Sequence, residues 1–461
     1  MRTNTDYSAY IPEYCQLVLG ILNDSGYEAY VVGGAVRDII AGEVPADYDL
    51  ATSALPEEVS KAMRDAGIKS IMDHAAKHGT ITVMADGHSV EITTFRTDGE
   101  YSDNRRPDSV SFTRSLETDA ARRDFTVNSL YLSADGIIKD PMKGEDDIEA
   151  GLLRAVGKPE LRFAEDALRI LRALRLASTK GFMIEKATAE AMREHAPLLK
   201  NISGERIHAE LTGIVTGKYA SDVIREYVDI LGVIIPELLP MKGFDQHSVY
   251  HHLDVLEHTL AVLDGIPLEE DGRRSEELAL AALFHDIGKP ETFYMDKDGA
   301  GHMDDHPEAG CRIAGRVADE LRFSNHLKEN LLQLILLHDE FVAPDRISVH
   351  RLMVSYPAAF LDKLAILQRA DILAHSELGR QRIKRLEAIT GLRAELTAEG
   401  ACLSIRELKI SGDDLVAAGI PAGHKIGESL RMLMNAVIEE RISNDKDELI
   451  GYAMKLFREN E

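Results

Sequence analysis

The stretch Tyr30-Val31-Val32-Gly33-Gly34-Ala35-Val36-Arg37-Asp38, followed by Asp47-Tyr48-Asp49, constrains this chain more than any other. A short apolar run ending in two glycines reads as a strand, Glu28 to Gly33, that enters a tight turn. Val36 to Ala41 reads as the helix beyond it, with Arg37 in its first turn. Asp47 to Thr52 reads as a second strand. Side chains alternate along a strand, so Asp47 and Asp49 point to one face. Two carboxylates on one rigid edge can hold two divalent cations. A glycine turn ahead of a helix N-terminus lets backbone N–H groups approach a triphosphate. Together these features point to two-metal nucleotidyl transfer. The bland alternative is a plain strand-to-helix turn beside two solvated aspartates. Glu91, on a neighbouring strand, is a candidate third carboxylate.

Downstream, Pro56 to Ala66 has the period of an amphipathic helix. Thr80 to Ala85 and Ser89 to Thr94 form a hairpin about Asp86-Gly87. Val110 to Phe112 adds an edge strand, and Arg96 to Pro107, with Arg105 and Arg106, reads as a polar loop. From about Glu149 the periodicity is helical: Glu165 to Ala177, Asp254 to Leu263, Glu276 to Phe284, Leu327 to Leu337, Ala359 to Ala374 and Gly427 to Glu440. The expected class is α+β. A head on a small mixed β-sheet (1–145) precedes an all-α neck (146–240), a histidine-rich helical domain (241–378) and a helical tail (379–461). The breaks fall at Gly144 to Gly151, at Pro236 to Phe244, and between Gly379 and Gly400.

The net charge of -25 argues against nucleic-acid binding by the surface as a whole. The stretch from Arg96 to Arg206 is near neutral, however, so a polyanion should meet this arginine-rich middle. Cys15, Cys311 and Cys402 form no paired motif, which suits a reducing compartment. Met1 to Asp6 lacks a signal-peptide core and no apolar run reaches membrane-spanning length, so the expectation is a soluble, cytoplasmic protein with no membrane partner. Its oligomeric state is open.

Val32 to Asp38 with Asp47-x-Asp49 resembles the first motif of the class II tRNA nucleotidyltransferase and bacterial poly(A) polymerase family. Three further stretches resemble later motifs of that family in order: Ala121 to Ser129; Asp140-Pro141 with Gly144 and Asp147; and Glu165-Asp166-x-x-Arg169-x-x-Arg172-x-x-Arg175. Leu408 to Leu415 and Asn444 to Leu449 look like its tail. The resemblance implies a nucleotidyltransferase head with Mg²⁺ at Asp47 and Asp49. It implies nucleotide contacts from Gly33, Gly34, Arg37, Arg122, Arg123, Asp124, Asp166, Arg169, Arg172 and Arg175, with CTP, ATP and tRNA as partners. Arg122, Arg123 and Asp124 read as opening a helix; the resemblance gives an arginine to the triphosphate or sugar and Asp124 to a ribose hydroxyl. Asp166 and Arg169 read as i and i+3 on one helix face. A carboxylate only accepts and a guanidinium only donates, which matches the amino-then-acceptor edge of cytosine and adenine and leaves uracil or guanine unmatched. The family uses this pair as a protein template. A solvated arginine face is the alternative. In the family, a flexible loop at the place of Arg96 to Pro107 accompanies the switch from C to A addition.

His258, His285-Asp286 and Asp371 follow the order H…HD…D and resemble the HD phosphohydrolase superfamily. His306 and His338 fit the added ligands of two-metal sites of that superfamily. The resemblance implies a divalent metal of unspecified identity and hydrolysis of 2′-phosphates, 2′,3′-cyclic phosphates or similar ends. His247, His251 and His252 are further candidates, expected behind the ligands or at the surface. The leading reading is template-independent addition or repair of the tRNA 3′-CCA. The alternatives are a poly(A) polymerase or A-adding enzyme, an HD phosphohydrolase with a nucleotide-sensing head, and a non-catalytic RNA-binding protein.

Overall fold

The computed structural model describes residues 6–68, 70–73, 75–99 and 110–459. The chain divides into two compact units. One comprises Met1–Leu239, Leu268–Arg273 and Glu320–Phe323; the other comprises Pro240–Pro267, Arg274–Asp319 and Ser324–Glu461.

The first unit runs α1 (Glu13–Asp24), β1 (Ala29–Val32), α2 (Gly34–Ile40), β2 (Asp49–Thr52), α3 (Pro56–Asp65), β3 (Ile71–Met72), β4 (Thr80–Ala85) and β5 (His88–Thr94). It continues with β6 (Arg96–Asp98), β7 (Val110–Phe112), α4 (Leu116–Ala121), β8 (Tyr131–Leu132), β9 (Ile138–Lys139), α5 (Gly144–Glu149), α6 (Pro159–Glu165) and α7 (Leu168–Lys180). Seven strands form one sheet in the order β3-β4-β5-β2-β1-β8-β9. The β2–β5 pair is parallel and the other pairs are antiparallel. All four residues of β1 are buried, because both faces of the sheet are covered; hence its unbroken apolar run. Val18, Leu19 and Leu22 of α1, Val36 of α2 and Met63 of α3 share a core with Val31, Leu50, Ile81 and Ile92. The opposite face carries Tyr30, Val32, Ala51, Phe95, Leu116 and Tyr131.

The hairpin about Asp86-Gly87 forms with both residues at positive φ, as the tightest two-residue hairpin turns require. Four local expectations change. Val110–Phe112 pairs with Arg96–Asp98 in a separate ladder and does not edge the main sheet. The rest of the expected loop, Glu100 to Pro107 with Arg105 and Arg106, lies outside the described residues. Asp47 precedes β2, of which Asp49 is the first residue. The helix expected from Glu165 to Ala177 breaks at Asp166, whose backbone is extended. There the Asp166 carboxylate accepts the Leu168 N–H at 3.1 Å. A short acidic side chain that bonds the backbone in this way favours a helix start over a helix interior. Asp166 and Arg169 therefore do not lie on one continuous helical face. Arg122, Arg123 and Asp124 follow the end of α4 and do not open a helix. The start signal is Ser115, whose side chain accepts the Thr118 N–H.

The neck region includes a parallel ladder of Leu152–Leu153 with Met183–Ile184, so it is not wholly α. In the second unit, helices Val255–Gly265, Glu276–Phe284, Asn325–Leu337 and Ala358–Ala374 pack on one another. Leu278 to Phe284 are all buried, as befits a helix apolar all round. His285 caps that helix and Asp286 stands in the following turn. The break expected between Gly379 and Gly400 is mostly the helix Ile383–Ala398. A tail core of Cys402, Leu408, Ile410, Leu415, Leu433, Met434 and Leu449 draws in Ile347 and Val354 from helix Arg346–Ser355.

Candidate functional site

β1 ends at Val32, and Gly33 caps α2 at φ 71° and ψ -133°, a conformation that side chains strongly disfavour. Antiparallel pairing sets Asp49 opposite Val32, beside that turn. Parallel pairing sets Glu91 opposite Asp49. Asp49 alternates with Ala51, so it lies on the sheet face that carries Val32 and Tyr131. Asp49 and Glu91 are exposed while the next residues, Leu50 and Ile92, are buried. Partial desolvation, then the like charges of Asp47 and Glu91, raise the Asp49 carboxyl above its ordinary value, and Arg123 opposes the rise. An edge of mutually repelling carboxylates is chemically suited to a cation. Among the described residues, sets of three donors whose atoms all lie within 4.8 Å of one another occur in the second unit; Asp47, Asp49 and Glu91 share an edge without such closure.

Polar and acidic side chains hold the arginines. Asp119 is buried and accepts Arg122 at 2.9 Å, Arg123 at 3.3 Å and the Tyr131 hydroxyl at 2.7 Å. Burial works against the Asp119 charge, but the two guanidinium groups and Tyr131 hold its carboxyl below the ordinary range. Its place on α4, three and four residues before Arg122 and Arg123, was the available signal. One nitrogen of Arg123 lies 3.7 Å from where a Cβ on Gly33 would stand, which puts that guanidinium beside the glycine turn. Arg37 is buried and donates to Asp38 and Asn128, each at 2.8 Å. In the stretch from Asp166 to Arg175, Asp166 binds Arg206 at 3.0 Å and Arg169 binds Glu165 at 2.7 Å. Arg175 faces the buried Glu210 at 3.0 Å. Asp166 and Arg169 are thus close in sequence but separately partnered.

Arg172 donates twice to one oxygen of Asp124, at 2.7 and 2.9 Å. Burial alone would raise the Asp124 carboxyl; the charge and hydrogen bonds of Arg172, with Arg169 and Asn128, bring it down to about 2. A depressed carboxyl stabilises the fold above its ordinary 3.8 and loses that contribution as pH falls toward about 2. The contribution is about 2 kcal/mol. Urea unfolding followed across that window should show the parent losing this stability and Asp124→Asn not losing it. Equal pH slopes in the two proteins would contradict the pairing.

The second unit brings together all six of its expected ligands. His258 Nε2 lies 3.0 Å from Asp371 and 3.4 Å from Asp286. His285 Nε2 lies 3.2 Å from Asp286, His306 Nε2 3.4 Å and His338 Nε2 3.7 Å. The Nδ1–H groups of His285, His306 and His338 donate to the carbonyls of Ala282, Met303 and Ile335. Those bonds leave each Nε2 with a free lone pair aimed inward. His306 and His338 then oppose lone pairs at 3.3 Å, and His285 Nε2 is buried without a hydrogen-bond partner. Acceptors converging on acceptors fit a cation. Two donor groups, His258-His285-Asp286 and Asp286-His306-His338, share Asp286, with Asp371 alongside the first.

Spacing would have found two further residues. Lys289, three residues beyond Asp286, pairs with it at 2.6 Å and donates to Gln246 at 2.9 Å. His375, four beyond Asp371, completes a third donor group with Asp371 and His258. His251 packs against His258 and His375, with ring centroids 5.3 and 4.4 Å apart, and burial pushes it down to about 2. It therefore packs directly behind the cluster. Among the described residues no helix is long and apolar enough to cross a membrane.

Comparison with known proteins matches residues 29–154 to the poly A polymerase head domain and residues 181–241 to the probable RNA and SrmB-binding site of polymerase A. Residues 249–376 match the HD domain, and residues 351–453 match tRNA nucleotidyltransferase domain 2. The CCA-adding enzyme of Geobacillus kaustophilus is 31% identical over 96% of this chain and 97% of its own length. That of Geobacillus thermodenitrificans is 48% identical over 45% of this chain, a match that spans 51% of the relative. The crystal structure of the Bacillus stearothermophilus CCA-adding enzyme in complex with CTP is 28% identical, with TM-score 0.70, over 97% of this chain and 98% of that one. A Thermotoga maritima CCA-adding enzyme structure, 20% identical with TM-score 0.61, shares the fold.

Proposed function

This chain belongs to the family of CCA-adding enzymes, and we propose on that basis that it adds or repairs the 3′-terminal CCA of tRNA from CTP and ATP. The end-to-end similarity to a relative of that name carries the reading; Asp49 and Glu91 in register beside the Gly33 turn supply the chemistry. Asp47 and Asp49, with Glu91 beside them, are the residues to hold Mg²⁺. Mg²⁺ bound there supplies a lowered pKa at the attacking RNA 3′-hydroxyl and charge for the leaving pyrophosphate. The Gly33-Gly34 turn presents backbone N–H groups to the triphosphate, and Arg123 lies beside it for phosphate or sugar. Asp166 accepts the exocyclic amino group of cytosine or adenine, and Arg169 donates to the adjacent ring nitrogen after exchanging Glu165 for the base. Uracil and guanine would leave both groups unmatched.

The histidine and aspartate cluster of the second unit is read as a divalent-metal phosphohydrolase site for 2′-phosphates or 2′,3′-cyclic phosphates. Its support is the set of histidine Nε2 atoms that converge beside Asp286, of which that of His285 is buried without a hydrogen-bond partner.

Purified protein, Mg²⁺ and tRNA lacking its 3′ end, with labelled nucleotides singly and together, test the first reading. Sequential C, C and A incorporation that then stops is expected. Long A tracts would make the chain a poly(A) polymerase. Phosphate release without incorporation would leave the HD domain as the working enzyme.

A further inference from the structure

The Asp119 side chain is only 1% exposed, so it does not touch a bound nucleotide. One of its oxygens accepts Arg122 Nε at 2.9 Å and the Arg96 backbone N–H at 3.2 Å. The other accepts the Tyr131 hydroxyl at 2.7 Å and the Nε and Nη2 of Arg123 at 3.3 and 3.2 Å. Arg123 Nε also donates to the Tyr131 oxygen at 3.0 Å. The Arg123 guanidinium is thus gripped along the edge formed by Nε and Nη2. Its third nitrogen, Nη1, donates to the Asn128 carbonyl at 3.4 Å and is the atom nearest the place of a Cβ on Gly33. Tyr131 is fixed in turn. It is fully buried, stands opposite Val32 in the β1–β8 pair, and meets the rings of Tyr30 and Phe95 edge-on. The strand that leads into the glycine turn therefore also sets the hydroxyl that aligns Arg123. A buried carboxylate among guanidinium groups adds little net stability, because desolvation offsets the Coulombic gain. What this arrangement does supply is direction: a planar fork held along one edge points its remaining nitrogen one way.

We propose that Asp119 is a positioning residue for nucleotide addition that acts through Arg123: with the Tyr131 hydroxyl as a stop, it aims Arg123 Nη1 at the triphosphate on the Gly33-Gly34 turn. This role rests on the nucleotidyl-transfer reading and deepens it. The triphosphate is the part that CTP and ATP share. Asp119 therefore serves both additions alike and takes no part in choosing the base.

Asp119→Asn keeps the side-chain volume and replaces one acceptor oxygen with an amide donor that faces the guanidinium groups. KM for CTP and KM for ATP should rise together, each by about tenfold or more, as the loss of a charged hydrogen-bond partner implies. A merely structural role would lower kcat through loss of folded enzyme and leave both KM values alone. That result overturns the proposal, and so does a rise for one nucleotide only. If Asp119→Asn does not fold, Tyr131→Phe carries the same test, because it removes only the hydroxyl beside Nε. Both KM values should then rise about threefold, the weight of one hydrogen bond. Added to Arg123→Ala, Asp119→Asn should change the nucleotide KM by less than about twofold; a further tenfold rise would mean that Asp119 acts elsewhere. Calorimetry with inorganic triphosphate in Mg²⁺ buffer, a probe with neither base nor sugar, separates this role from the reading beneath it. A parent protein that binds triphosphate but adds no nucleotide to tRNA removes the nucleotidyl-transfer reading. Binding by Asp119→Asn still decides the positioning role: affinity about tenfold weaker than the parent's supports it, and equal affinity overturns it.

Discussion

Asp49→Asn should cut nucleotide addition to tRNA by about a thousandfold or more, while the metal-free protein unfolds at a higher temperature than the parent. The two effects have one cause. Asp49 stands in register with Glu91 and near Asp47, so its folded carboxyl is raised by desolvation and by like charge. A raised carboxyl keeps its proton to higher pH in the folded state than in the unfolded one. Stability therefore falls as pH rises through that interval, and the deficit persists at neutral pH. Asparagine removes the repulsion and also removes a ligand. Loss of several kcal/mol of charge stabilisation in the transition state corresponds to roughly three powers of ten in rate. Single-turnover addition and thermal melts with and without Mg²⁺ read both effects. Mg²⁺ should stabilise the parent more than the variant. A variant that keeps parental turnover would remove the nucleotidyl-transfer assignment from this edge.

Asp286→Asn should abolish hydrolysis and divalent-metal retention in the second unit and leave CCA addition in place. Asp286 is the only residue common to the two donor groups in which His285 and His306 take part, so an amide there disables both. It also strips Lys289 of its carboxylate partner. Lys289 is buried and left with Gln246 alone, and breaking a buried pair costs about 3–5 kcal/mol. Elemental analysis of purified protein, phosphate release, and addition assays distinguish the consequences. Metal content equal to the parent's would contradict the shared-ligand geometry. Loss of addition in a folded variant would mean that the two activities depend on each other.

Short-range spacing carried much of this protein. The strand, the glycine turn and the helix from Tyr30 to Asp38 occupy neighbouring residues, and alternation or helical period records them directly. The same holds for His285-Asp286 and, in retrospect, for Lys289 and His375, each within one turn of a ligand. Asp166 misled for the opposite reason. The periodicity of Arg169, Arg172 and Arg175 was extended backward through a residue whose side chain ends the preceding helix by bonding the backbone of the next.

The amino-acid order alone determined which chemistry-bearing groups exist and in what succession, because local steric and polar preferences act over a few residues. Tertiary packing decided which groups meet: Glu91 beside Asp49, Arg172 on Asp124 across 48 residues, and Asp371 on His258 across 113. Such pairings depend on strand register and helix packing, which are set by burial of apolar surface over the whole unit, and no local pattern encodes them.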